Sequence, residues 1–279
     1  MKRKKYTGER LETHEQGEGM IEHLHRYAIA MEKCRGKSVL DIASGEGYGS
    51  SLLATTALKV TGVDIDAETV RAANEKYTIK NNKLEFLQGS ADHIPFATGI
   101  FDIVVSFETI EHHDKHQEMM AEIKRVLKPG GLLIISSPDK LFYSDKPGTK
   151  NPFHIKELYK DEFRSLLVSH FRDVKLYRQK AFFSSVITPD ERNEATRNVQ
   201  FYHGSYSAIV ADSGIESVYL VALASDNSFE GLEVSLFKDY EFIRNMRKRL
   251  ESTTRFQFGN LFLNPIQFFK QKFAGKNKG

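Results

Sequence analysis

Residues 39–49 read Val-Leu-Asp-Ile-Ala-Ser-Gly-Glu-Gly-Tyr-Gly, and the fold turns on this stretch. The apolar run Val39, Leu40 and Ile42 predicts a buried parallel strand, ending in a turn that holds Gly45, Gly47 and Gly49. Glycines at a strand-to-helix turn give the backbone access to positive φ and let a ligand approach the main chain closely. A Gly-x-Gly turn by itself is shared with dinucleotide and phosphate sites. Asp41, on the strand ahead of the glycines, narrows the choice. A phosphate cradle wants N–H donors and positive charge, so a carboxylate at its mouth would repel a pyrophosphate. The same carboxylate suits a ligand with an ammonium and hydroxyls and no phosphate.

Working outward, residues 58–66 (LKVTGVDID) predict a second strand with Asp64 at its tip. An acid in that place, about twenty residues beyond a glycine turn, can hold both ribose hydroxyls. Residues 83–89 (KLEFLQG) predict a third strand, followed by Ser-Ala-Asp at 90–92, where a carboxylate can accept from an adenine amine. S-adenosylmethionine combines these features: an ammonium, two ribose hydroxyls, an adenine and no phosphate. A fourth strand follows at 101–107 (FDIVVSF), with Glu-Thr-Ile-Glu-His-His after it, and 127–137 give a turn and a fifth strand. Between them, 67–77 and 114–127 are amphipathic. The second opens with Asp114 and Gln117 in capping-box spacing and sets Ile123, Val126 and Leu127 on one face. Strands alternating with helices predict an α/β, doubly wound parallel sheet, with its ligand at the carboxyl ends of the strands.

The stretches VLDIASGEGYGS, VTGVDID, GSADHIPF, FDIVVSFETIEH and LKPGGLLIISSP, in that order, resemble the class I S-adenosylmethionine-dependent methyltransferases of the type 11-like group. The resemblance covers roughly residues 6–226. It implies a Rossmann-like seven-stranded sheet, mostly parallel, with a sixth strand in DVKLYRQ and an antiparallel last strand in SVYLVALA at 217–224. It also implies S-adenosyl-L-methionine as cofactor. Asp41 and Gly45 would line its methionine part, with Ala43 and Gly47 also among the binding residues. Asp64 would take the ribose hydroxyls, Ile65 would pack on the adenine, Ala91 and Asp92 would meet its amine side, and Phe107 would close the pocket near the methyl. Residues 7–30 and NPFHIKELYKDEF at 151–163 resemble bacterial sugar and surface-glycan methyltransferases. A sugar or glycan hydroxyl is therefore the expected acceptor. A quinone, lipid or other small metabolite is the alternative, and a non-catalytic cofactor-binding regulator is the reading from another class. Ser106-Phe-Glu-Thr stands where base methylation would show Asn/Asp-Pro-Pro-Tyr, so no nucleic-acid partner is expected.

A sulfonium methyl is already a good electrophile, so in-line transfer mostly needs positioning and exclusion of water. A sugar hydroxyl is a poor nucleophile, and a base near it helps. His112, past the fourth strand, and His154, past the fifth, are the candidates, with Glu111 third. Each histidine also has a plainer reading: His112 as a cap of the next helix, His154 as the anchor of a loop. The cluster His112, His113, Asp114 and His116 invites a metal. Reading Asp114 as the helix cap leaves His112 outside the helix, the i, i+4 spacing fails, and no metal ligand is assigned.

Composition excludes other classes. The single Cys34 rules out a disulfide framework and suits a reducing cytoplasm. No apolar segment follows the basic MKRKKYTGER start, and no run is long enough to span a bilayer. Positive charge gathers at the two ends, in Lys2–Lys5 and in 252–279, which carry no acid, so the body between is net acidic. That argues against a broad nucleic-acid groove.

Three domains are expected: an N-terminal cap over the cofactor at 1–35, the methyltransferase domain at 36–226, and a basic, aromatic helical extension at 227–279. Within the second, 187–215 read as a substrate lid, with Tyr202, His203 and Tyr206 interleaved, or as a disordered loop. Residues 232–250 read as an amphipathic helix that packs back on the domain or makes a homodimer or partner contact. The phenylalanine- and lysine-rich 255–279 read either as cover for an apolar patch or as a helix in an anionic membrane surface. A cytoplasmic enzyme, at the inner membrane surface in the second case, is the expected location.

Overall fold

Alternating residues of each central strand feed two separate cores, and this explains why those strands are apolar throughout. In the computed structural model, which describes residues 17–79, 81–182, 201–205, 208–212, 216–238, 248 and 251–253, β1 (Ser38–Ile42) sends Val39 to one face and Leu40 to the other. β2 (Lys59–Asp64), β3 (Leu84–Gln88), β4 (Phe101–Ser106) and β5 (Leu127–Pro138) follow in parallel register. Ile103, Val105 and Ile134 join Val39; Val104, Leu133 and Ile135 join Leu40. β6 (Asp173–Gln179) closes one edge. β7 (Phe201–Ser205) and β8 (Ala208–Asp212) pair only with each other, and β9 (Tyr219–Ser225) runs antiparallel between β5 and β6. The main sheet has the order β3-β2-β1-β4-β5-β9-β6. It is the seven-stranded, Rossmann-like sheet expected, with β9 as its antiparallel strand.

Helices cover both faces. α1 (Glu18–Lys33), α2 (Tyr48–Leu53) and α3 (Ala67–Tyr77) bury Tyr27, Ala30, Leu53, Val70 and Ala73 in the first core. α4 (His116–Val126) and α5 (Lys160–Val168) bury Met119, Ile123, Val126, Phe163 and Leu167 in the second. The strand order reverses between β1 and β4, and in such sheets a crevice opens there at the carboxyl ends.

Two local expectations are corrected. Asp114 does not cap α4: the helix begins at His116, after Lys115, without a side-chain cap. Lys115 is instead drawn to the Asp92 carboxylate, and a 3-10 turn at Ile110–His112 takes up the chain ahead of it. The helix expected from Leu232 is not formed over 231–238. That segment is pinned in irregular form, with Leu232 N donating to Tyr177 Oη at 2.8 Å and Lys33 Nζ donating to the Glu230 carbonyl at 3.3 Å. The chain divides into two compact units, Met1–Leu236 and Phe237–Gly279. Most of the expected lid, most of 239–250 and all of the 255–279 tail lie outside the described residues. Among the described residues no helix is long and apolar enough to cross a membrane.

Candidate active site

The glycine turn leaves β1 with Ala43 at φ 58° and Gly45 at φ 54°, and α2 starts after Gly47 at φ 83°. Two of the three glycines serve the protein's own rings. A methyl on Gly47 would sit 2.6 Å from Phe86 Cζ, and one on Gly49 would sit 1.9 Å from Tyr27 Cζ. Only Gly45 faces open space, with nothing within 4 Å of such a methyl.

Two carboxylates stand at this turn. Asp41 is 1% exposed, accepts from Ser50 Oγ at 2.6 Å and lies 3.4 Å from the Tyr27 hydroxyl. Burial pushes its carboxyl up to about 7, and the nearby Asp64 charge adds to the rise, while the two hydroxyl contacts oppose it. Asp64 is the buried last residue of β2, 3% exposed. Gly45 N donates to its Oδ2 at 2.9 Å and Asp66 N to its Oδ1 at 3.0 Å. One side chain thus holds the glycine turn and the start of α3 together.

Farther along the same edge, Ile65 is 66% exposed, an apolar side chain presented to a ligand or solvent. Asp92 accepts from Ser90 Oγ and Lys115 Nζ, and the lysine beside it holds its carboxyl down at about 2, so it is ionised. Ala91 packs against the second core. Phe107, at the end of β4, is buried edge-on against Tyr27 with ring centroids 5.1 Å apart. Every expected cofactor residue therefore lies at the carboxyl ends of β1 to β4.

The two candidate histidines meet on the other side of the crevice. The carbonyl of Glu111 accepts from Ile155 N at 2.8 Å and Lys156 N at 3.1 Å, which ties the loop after β5 to the turn after β4. Asn151 Oδ1 turns that loop by accepting from Phe153 N at 3.0 Å. The rings of His112 and His154 end edge-to-face, 5.2 Å apart. His112 Nδ1 pairs with Phe153 O at 3.1 Å and His154 Nδ1 with Glu157 Oε1 at 2.5 Å. Asn151 Nδ2 lies 2.9 Å from His154 Nε2. His154 is thus fixed within its loop by Asn151 and Glu157. His113 and His116 turn elsewhere, to Met119 Sδ and to the His113 carbonyl.

α1 supplies residues the sequence reading missed. Arg26, 1% exposed, donates to Glu108 Oε1 at 2.9 Å and stacks its guanidinium 4.9 Å above the Tyr219 ring. Glu108 holds φ 50° and also accepts from Ser136 Oγ at 2.6 Å. Glu22 accepts from Ala181 N at 3.1 Å, and burial raises its carboxyl above the usual range. The signal was present: Glu22, Arg26 and Ala30 share one face of the helix, and charged residues on a buried stripe are rarely there for packing alone.

The turn fits S-adenosylmethionine by its chemistry: an open glycine corner, a deep carboxylate at Asp41 to meet an ammonium, and a second carboxylate at Asp64 to accept from hydroxyls. The comparisons agree. The family model described as a methyltransferase domain matches residues 40–135. A probable S-adenosylmethionine-dependent methyltransferase of Mycolicibacterium smegmatis is 34% identical over 142 residues, 50% of this chain and 54% of that protein. A fatty-acid O-methyltransferase of the same organism is 32% identical over 122 residues, 40% of this chain and 44% of that one. The chain thus spans about half the length of the curated relatives it matches. The crystal structure of the YcgJ protein from Bacillus subtilis shares the fold, with a TM-score of 0.54 at 17% identity, covering 74% of this chain and 100% of that one. Residues 40–135 thus match a methyltransferase domain, and the relatives that share this stretch imply S-adenosylmethionine as its cofactor.

Proposed function

We propose that the protein methylates an oxygen of a small acceptor, a sugar or glycan hydroxyl, by in-line displacement. The observation that carries the reading is the pairing of His112 and His154, from the turn after β4 and the loop after β5. When bound, S-adenosylmethionine supplies an electrophilic methyl. Asp41 would face its ammonium, Asp64 its ribose hydroxyls, Ile65 the adenine plane and Asp92 the adenine amine. Ala43, Gly45 and Gly47 would shape the path between, with Ala91 and Phe107 closing its sides. A histidine would take the proton of the acceptor hydroxyl as the oxygen gains the methyl group. His112 is taken as that base, its ring held by Nδ1 donating to the Phe153 carbonyl. His154, steadied by Glu157, would hold the acceptor.

A lipid acceptor is the second reading, favoured by the relative described as a fatty-acid O-methyltransferase. A carboxylate is nucleophilic without a base, and this separates the two. With labelled cofactor and a panel of sugar nucleotides, glycan ends and fatty acids, hydroxyl methylation predicts that His112→Ala and His154→Ala lose about 10²–10⁴-fold in turnover while binding cofactor normally. Near-wild-type turnover in both variants would overturn the hydroxyl reading and favour the carboxylate.

A further inference from the structure

Glu111 is the one residue of this cluster that neither histidine role explains. It is 1% exposed, and its Oε2 has no hydrogen-bond partner among the described residues. A buried charge is costly unless a cation or hydrogen bonds meet it. The Arg26 charge reaches Glu111, but its hydrogen bond goes to Glu108, and the Glu108 and Glu157 carboxylates both act on Glu111 with the same sign. Three carboxylates thus gather where one guanidinium stands.

Around Glu111 the donors are those of a metal centre. Glu111, His112 and His154 each present one ligand atom, and these atoms lie within 4.8 Å of one another. Both imidazoles are oriented from behind, His112 by a backbone carbonyl and His154 by the Glu157 carboxylate. Partners of that kind on the far nitrogen orient metal-ligating histidines and raise their basicity. We propose that Glu111, His112 and His154 form a binding site for one divalent transition-metal ion. Ligand atoms on a shared ion of this size lie about 3 Å apart, given bonds of about 2 Å. Modest side-chain rotation closes the difference, and the ion replaces the contact between Asn151 Nδ2 and His154 Nε2.

Two imidazoles and a carboxylate favour zinc, iron, cobalt or manganese over calcium and magnesium, which prefer oxygen throughout. Three protein ligands leave positions open for an acceptor oxygen. With the ion bound, His112 is a ligand, and activation passes from proton acceptance by the imidazole to polarisation of the hydroxyl by the cation, its proton leaving to water. This use of the site rests on the methyl-transfer reading; the binding of the ion does not.

The test is a titration of the full chain, stripped with a chelator, with Co²⁺, followed by visible absorption and by calorimetry. One equivalent is expected to bind with the absorption of an imidazole-ligated ion. Glu111→Gln and His112→Gln should each weaken it at least tenfold. His112 is 27% exposed, so its variant keeps the fold even where the buried one does not, and a melting curve checks both. Absence of saturable Co²⁺ binding, or equal binding in wild type and the folded variants, would overturn the site. S-adenosylmethionine titrated into the same samples separates the two readings: cofactor binding without Co²⁺ refutes the ion site alone, and Co²⁺ binding without cofactor refutes the transfer reading alone.

Discussion

Asp41 is the residue whose chemistry reaches farthest. Its folded carboxyl sits near 7, against about 3.9 in an unfolded chain, because burial, with help from Asp64, disfavours the charge more than Ser50 and Tyr27 stabilise it. The folded state therefore holds this proton more tightly than the unfolded one. Its contribution to stability is full below about pH 4 and is lost as pH rises through about 7, by about 1.4 kcal/mol for each unit between. Asp41→Asn should flatten the cofactor-free protein's stability over that range in urea titrations; an unaltered slope would place the proton elsewhere. An ammonium ligand favours the ionised form, so cofactor affinity should climb with pH up to about 7 and then level. Gly49 makes a simpler test. A methyl there meets the buried Tyr27 ring at 1.9 Å, so Gly49→Ala should cost about 1–3 kcal/mol in urea midpoints by overpacking. Unchanged stability would mean that the ring moves freely.

Among the elements, α1 does the most that strand-and-glycine patterns do not announce. It brings Tyr27 to Asp41 and Arg26 to Glu108, joining the cofactor turn to the acceptor side. Removing Arg26 strands a partly buried carboxylate, so Arg26→Ala should destabilise by about 3 kcal/mol, while a paired Arg26→Met and Glu108→Gln variant recovers most of it. Equal losses from the single and double changes would show that the helix, not the ion pair, matters. The strands and α3 were legible in the sequence because period and punctuation agree: β1 to β5 fall where the apolar runs do, and α3 spans the expected 67–77. The start of α4 was not, since Lys115 answers to Asp92, a residue remote in sequence. Nor was the meeting of Glu111, His112 and His154, which depends on backbone bonds between two loops. Nor was the crowding at Gly47 and Gly49, because only the folded chain shows Phe86 and Tyr27 filling that space.

At the scale of the whole molecule, the sheet edge carries two stations on either side of its topological reversal. β1, β2 and β3 present Asp41, Asp64 and Asp92; β4 and β5 present the histidine pair. Damage to the two should separate in kinetics. Changes at Asp64 should act on cofactor affinity, and changes at His112 on turnover. Asp64 also fastens Gly45, so its removal loosens the turn besides deleting two acceptors. The central claim is that this edge binds S-adenosylmethionine, and calorimetric titration of the full chain tests it most directly. The account predicts one saturable site, weakened in folded Asp64→Ala by on the order of 1.5–3 kcal/mol, the range for charge-assisted hydrogen bonds. A folded chain that takes up no S-adenosylmethionine, or an Asp64→Ala variant that binds it as tightly as wild type, would contradict the account.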